Sequence, residues 1–138
     1  MAVAKWATPS PSRSSNFAGA TLNSLANGSE SAVVTYDNST NRDLYGVVTI
    51  KLGSFNPGTA GSITLRITLN DGTDTADRIG GDLYVIPLTS GASAKVAVVN
   101  MLRLYPFSMR FSVINNTVAN FAASGNELYV LPWNEDVT

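Results

Sequence analysis

Residues 108–115 read Ser-Met-Arg-Phe-Ser-Val-Ile-Asn, and apolar and polar side chains alternate over most of this run. The apolar side chains that share one face are Met109, Phe111 and Val113. A period of two is typical of a β-strand with one face in a core and the other toward solvent. We therefore expect an amphipathic strand here, followed by a turn at 115–117, where Asn tolerates a left-handed backbone.

The same third of the chain closes with a second strand-like run, residues 127–133, in which both faces are apolar. Leu128 and Val130 fall on one face. The other face carries Tyr129, Leu131 and Trp133. A strand with two apolar faces is either central in a sandwich or covered by a neighbouring subunit. We therefore predict that the second face contributes to an interface with another protein.

Upstream runs predict further strands, at 31–36, 44–52, 63–69, 82–88 and 95–104. In the last of these, continuous alternation predicts a shared face for Val96, Val98, Leu102 and Leu104. Gly, Asn and Pro turns separate the runs, and no stretch predicts a convincing helix. About seven or eight short strands of this kind predict an all-β fold, an antiparallel β-sandwich or jelly roll.

One sequence pattern occurs twice. Residues 82–87 read Asp-Leu-Tyr-Val-Ile-Pro, and residues 127–132 read Glu-Leu-Tyr-Val-Leu-Pro. The segments between them do not match well, so a true repeat is not established. The pattern favours two equivalent strands, one in each half of a double-sheet sandwich. Each proline is expected at a strand end or edge, where its missing N–H costs little.

Residues 1–31 differ in composition from the rest and are interpreted as an extended N-terminal arm, with the β-sandwich domain at 32–138. Pro9 and Pro11 disfavour a helix in this segment. A loosely ordered tail is one interpretation. The other is an arm that inserts Trp6 or Phe17 into a pocket of a neighbouring molecule.

Composition narrows the function classes. The chain of 138 residues suits one domain, and only 14% of its residues are charged, against a usual share of about 25%. It has no Cys and no His, which removes disulfides, thiolate chemistry, the usual catalytic triad and the commonest metal ligand. With a net charge of −1 and no basic patch, nucleic acid is not an expected partner. Neither a membrane span nor a signal peptide is expected.

The densest set of carboxylates lies in one loop and comprises Asp71, Asp74, Asp77 and Asp82. Such oxygens can hold Ca²⁺, but the spacing is not that of an EF-hand, and a solvated loop is the simpler interpretation. Tyr and Trp side chains can stack on sugar rings, yet most of them fall within predicted strands, where packing explains them. We predict no catalytic residues, no resident metal and no cofactor.

The C-terminal segment resembles a group of small virion proteins of tailed bacteriophages. The matching residues are Phe111, Asn115, Asn116, Thr117, Val118, Ala119, Ala122, Ala123, Ser124, Gly125, Asn126, Leu128, Trp133, Asn134 and Glu135. Upstream, 37–41, 43–45 and 90–92 also fit, so the resemblance covers roughly residues 22–135 and leaves the first 20 uncovered.

This resemblance implies a virion structural protein. The first expectation is a capsid decoration (cement) protein on the capsid surface, bound to the major capsid protein and self-associated as a homotrimer. The alternative is a tail- or fibre-associated β-module that binds host surface glycan. An enzyme is the third and least favoured class. The interface residues expected from the sequence are Trp6, Phe17, Tyr129, Leu131 and Trp133.

Overall fold

The computed structural model describes residues 4–6, 19–69 and 81–137. Two short strands lie near the ends of the chain, β1 (Ala4–Trp6) and β9 (Glu135–Val137), and the one described helix, α1 (Gly19–Leu22), is a single turn. The remaining strands are β2 (Val34–Asp37), β3 (Tyr45–Phe55), β4 (Ser62–Leu69), β5 (Asp82–Pro87), β6 (Ser93–Arg103), β7 (Ser108–Asn116) and β8 (Glu127–Trp133).

The predicted all-β class is confirmed, with 55% strand and 3% helix. One sheet has four strands in the order β2-β7-β4-β5, and a second has three in the order β6-β3-β8. A separate two-stranded pair joins β1 to β9. Every described strand pairing is antiparallel. The antiparallel sandwich is therefore confirmed, whereas these strand orders do not establish the jelly-roll topology in particular.

A single hydrophobic core lies between the two larger sheets and is built by the inward rows of both. The alternation predicted at 109–113 is confirmed, because Met109, Phe111 and Val113 are fully buried. Their neighbours across the core come from β3 and β8 and include Val48, Ile50, Leu128 and Val130. Burial of each such side chain stabilises the fold by about 1.5–3 kcal/mol, so these rows fix which face of each strand points inward.

A β-bulge interrupts β6. Val48 lies opposite Val99, but Gly46 lies opposite Leu102, so Val47 faces the two residues Asn100 and Met101. Met101 has φ = 52°, a left-handed conformation that is uncommon for a side chain of this kind. One extra residue in a bulge inverts the alternation on the strand beyond it.

The shared face predicted for β6 is therefore wrong. Before the bulge, Val96 and Val98 point outward, with 64% and 43% of their surface exposed. After the bulge, Leu102 and Leu104 are buried in the core. The alternation in the sequence alone cannot reveal that the inward face changes along β6, because the bulge depends on how β6 pairs with β3.

The repeated sequence pattern corresponds to β5 and β8, and each of these strands lies at the edge of a different sheet. The two strands thus lie in different halves of the sandwich, as predicted. The two strands turn opposite faces inward, however. In β8, Leu128 and Val130 are fully buried. In β5, the matching Leu83 and Val85 are 55% and 67% exposed.

The described parts of residues 1–31 contact the rest of the chain. The backbone of Trp6 lies opposite that of Glu135 in the β1–β9 pair. Leu22 is fully buried in the core, and the Ser24 N–H donates to the carbonyl of Ala122. Phe17 lies outside the described residues. The division of the chain at residue 31 remains a prediction.

The ionisation of Tyr36 is expected to make the free energy of unfolding depend on pH in the alkaline range. Its ring packs edge-on against Phe111, with centroids 6.2 Å apart. Burial and the nearby charge of Asp43 raise the pKa of Tyr36 from 10.0 to about 12. Below pH 10 the phenol is neutral in both folded and unfolded chains; between pH 10 and 12 the unfolded chain ionises first. The free energy of unfolding is therefore expected to fall as pH rises through this window.

We expect Tyr36→Phe to reduce that loss. The measurement is urea denaturation of both proteins at several pH values from about 8 to 11.5, which brackets the tyrosine range. The wild-type protein should lose stability more steeply than the variant above pH 10. Equal slopes in the two proteins would show that Tyr36 does not carry the effect.

Candidate interaction surface

The outward side of the β6-β3-β8 sheet forms a continuous surface that we call the outer sheet face. Directly opposed residues of antiparallel strands point to the same side, so the register defines its members. They are Tyr45, Val47, Thr49 and Lys51 on β3, Glu127, Tyr129, Leu131 and Trp133 on β8, and Val96, Val98 and Arg103 on β6. The bulge adds Asn100 and Met101 opposite Val47.

At one end of the outer sheet face, aromatic rings stack. The ring of Trp133 lies over that of Tyr45, with centroids 4.5 Å apart and planes inclined by 23°. Stacked pairs of this kind contribute about 0.5–1.5 kcal/mol beyond their buried area. Arg103 lies opposite Tyr45 on β6 and places a positive charge at this end.

At the other end lie the charges of β3 and β8. The Lys51 ammonium is 3.1 Å from the Glu127 carboxylate and 5.3 Å from the centre of the Tyr129 ring. Both charged side chains are about one-third exposed, so the ion pair adds little stability. Between the two ends, Val47 faces Leu131 and no charged side chain intervenes. The middle of the outer sheet face is therefore uncharged and apolar.

The outer side of the four-stranded sheet has a different character. Arg66 Nε lies 3.3 Å from a carboxylate oxygen of Glu30, and the Ser112 hydroxyl donates to the same carboxylate. Asn116 Nδ2 donates to the Thr64 hydroxyl at 2.9 Å. Polar groups thus occupy the middle of that sheet, on β4 and β7, while Leu83 and Val85 on β5 are 55% and 67% exposed on the same side. The outer sheet face instead has aliphatic and aromatic side chains in its middle.

Asparagine side chains fix β8 against β3 at both ends. At the start of β8, Asn126 Oδ1 accepts from the Gly53 N–H at 3.0 Å, and its Nδ2 donates to the Ala122 carbonyl at 2.8 Å. At the end of β8, Asn134 Oδ1 accepts from the Leu44 N–H at 2.7 Å. Its Nδ2 donates to the Asp43 carboxylate at 2.8 Å. These bonds hold the register on which the outer sheet face depends.

No protein-family model matches the chain, and no curated protein or solved structure is found to be similar to it. The resemblance to phage virion proteins therefore remains a prediction from the sequence. Several residues that carry it, Asn126 and Asn134 among them, have a structural role in this chain, since they close loops onto β3.

Three of the five predicted interface residues lie together on the outer sheet face: Tyr129, Leu131 and Trp133. Each is partly buried, so none is sealed in the core and none is fully surrounded by solvent. In the order of the described strands, β8 stands last in its sheet rather than at its centre. Trp6 lies on β1, opposite a residue just beyond β8, and Phe17 falls outside the described residues. Their part in an interface remains a prediction.

Sequence reasoning missed the contribution of β3 and β6 to this surface. Val47 lies between buried neighbours on β3. The sequence shows this alternation, but from it we predict only a strand and not a surface. Val96 and Val98 were placed on the same face as core residues, and the bulge reverses that placement. Met101, 63% exposed, gave no signal at all.

The predicted acidic loop is largely outside the described residues, which include only Asp82, exposed at the start of β5. Within residues 4–6, 19–69 and 81–137, no group of three or more His, Cys, Asp or Glu residues could hold a metal ion. In the same part of the chain, no helix has the length and apolar character needed to cross a membrane.

Proposed function

We propose that the protein is a structural component of a virus particle, a capsid decoration (cement) protein that binds the major capsid protein through the outer sheet face. The observation that supports a protein-binding role is the uncharged middle of this face, where Val47 lies opposite Leu131 and Val98 lies opposite Thr49. The virion context comes from the resemblance of the C-terminal segment to phage proteins.

The strand register gives the dimensions of the surface. The paired register of β3 and β8 spans residues 45–51 and 127–133. At about 3.3 Å per residue and about 4.8 Å between three strands, the outer sheet face covers roughly 300 Å² before side chains are added. This area includes the charged ends at Lys51, Glu127 and Arg103, so the apolar middle is only part of it. The largest apolar patch on a soluble protein is commonly about 300–600 Å² and is often functional. A partner with an apolar surface rimmed by charges is expected to fit it.

The proposal is tested by mixing the purified protein with capsid shells that lack it and sedimenting the shells. Saturable co-sedimentation is expected, with a fixed number of copies per shell. Shells that already carry the protein serve as the control and should take up no more. A protein that stays in the supernatant over shells of the phage that encodes it would contradict the capsid role.

A second candidate is a tail- or fibre-associated module that binds host surface glycan. The stacked Tyr45 and Trp133 rings favour it, because aromatic faces are suited to sugar rings. A glycan array distinguishes the two functions. A cement protein should bind no glycan, whereas a tail module should bind a defined set and lose binding with Trp133→Ala.

A further inference from the structure

Among the described strands, those at the edges of the two larger sheets are not equally protected against pairing with another strand. An edge strand presents unpaired backbone groups, and proteins commonly block it with proline, charge or shortness. The four edges are β2, β5, β6 and β8. β2 is only 4 residues long, while β5 and β8 contain Pro87 and Pro132.

β6 is the exception. It has 11 residues, no proline, and no charged residue between Lys95 and Arg103. In the described part of the chain, no strand pairs with its outer edge. Val96 and Val98 stand on the outer sheet face beside this edge, 64% and 43% exposed. Before its bulge at Asn100 and Met101, β6 thus offers an accessible, uncharged stretch at 96–99 for β-sheet extension.

We propose that a second copy of this chain pairs antiparallel along β6, with a two-fold axis at Ala97, so that two three-stranded sheets become one of six strands. In this register Ala97 meets Ala97 of the second copy. Val96 meets Val98 of the second copy, and the reverse contact forms by symmetry. The row of exposed valines becomes continuous across the junction, which covers apolar surface that a single copy leaves in water.

The charge pattern favours a second copy as the occupant. Lys95 lies opposite Val99 of the second copy in this register, so no like charges meet. The two Lys95 side chains are separated by four residue positions along the strand, roughly 13 Å, which exceeds the Debye length in physiological salt. The same uncharged stretch can therefore pair with its counterpart in a second copy without repulsion between like charges.

The proposed arrangement predicts a pair of copies rather than a longer assembly. The bulge at Asn100 and Met101 ends the regular ladder on one side of Ala97. The opposite edge of the same sheet, β8, carries Pro132, which lacks a backbone donor. A two-fold contact of this kind is closed, so it produces pairs rather than fibres. It differs from the three-copy assembly expected from the sequence, and it does not depend on capsid binding.

The first test is sedimentation equilibrium of the full chain up to about 100 µM, a range that detects weak association. The wild-type mass should approach twice 14.6 kDa. Val98→Lys, which places a charge at the edge, should weaken pairing at least tenfold. Val85→Lys is the matched control, because Val85 is also an exposed edge valine opposite a threonine. A single-copy or three-copy mass for the wild type, or equal effects of the two variants, would overturn the proposal.

The second test fixes the register, using the fact that the chain has no cysteine of its own. The double variant Val96→Cys/Val98→Cys should form a covalent dimer on mild oxidation, because directly opposed residues lie within disulfide range. Either single variant should not, since identical positions are then diagonal neighbours, about 7–8 Å apart. No cross-link in the double variant, or an equal yield in a single one, would overturn this arrangement.

Discussion

Asn115→Ala is expected to lower the free energy of unfolding by about 3–5 kcal/mol. Asn115 is fully buried. Its Nδ2 donates to the carbonyls of Leu25 and Ala119, each at 2.9 Å, and its Oδ1 accepts from the N–H and hydroxyl of Thr117 at 3.0 and 2.7 Å. Alanine leaves these groups without their partner, and each unsatisfied buried group costs about 1–3 kcal/mol.

The matched control is Asn116→Ala, the next residue along β7. Asn116 is exposed and its side chain has one bond, to the Thr64 hydroxyl at 2.9 Å. We expect this variant to lose about 1 kcal/mol or less, since water can replace the amide. Urea denaturation of the three proteins measures the difference. Similar losses in the two variants would show that the buried hydrogen bonds of Asn115 do not stabilise the loop as predicted.

Leu131→Glu is expected to weaken binding to capsid shells by about 30-fold or more, which corresponds to a hot-spot loss of about 2 kcal/mol. Leu131 lies opposite Val47 in the uncharged middle of the outer sheet face. A partner that covers this position would bury the new carboxylate away from compensating charge, and that is costly. The fold should persist, because Leu131 points away from the core.

Val85→Glu is the control for this prediction. Val85 is a 67% exposed valine on β5, in the other sheet. Glutamate at this position introduces the same charge away from the outer sheet face, so co-sedimentation with shells should be unchanged. Thermal unfolding of both variants checks that neither has lost its structure. Loss of binding in both, or in neither, would remove the outer sheet face from the contact.

The alternation of apolar and polar residues was sufficient to predict which faces of β4 and β7 are buried. In these strands one face is clearly apolar, and a slip of one residue would expose it. The same alternation was also sufficient to place Leu128 and Val130 on one face of β8. The sequence could not say which apolar face of β5 or β8 points inward, because both alternatives bury aliphatic side chains. In the structure, β8 turns Leu128 and Val130 inward, whereas β5 turns the matching Leu83 and Val85 outward.

Two features depend on contacts distant in sequence and were therefore not predictable. The β6 bulge is defined by the pairing of Asn100 and Met101 with Val47, more than 50 positions away. Asn115 reads as a turn residue, yet it lies on β7 and bonds a carbonyl 90 positions away in sequence. A polar residue near a strand end is compatible with solvent or with a buried network, and local pattern does not separate them.

We propose the outer sheet face as the surface by which this protein binds a virus shell. Hydroxyl-radical footprinting of the free and shell-bound protein tests it most directly, since it reports side-chain exposure. Tyr45, Tyr129 and Trp133 should be modified in the free protein and protected on the shell, while Leu83 and Phe107, exposed elsewhere, should react equally in both. Unchanged modification of the three aromatic residues in protein that is bound to shells would contradict the claim.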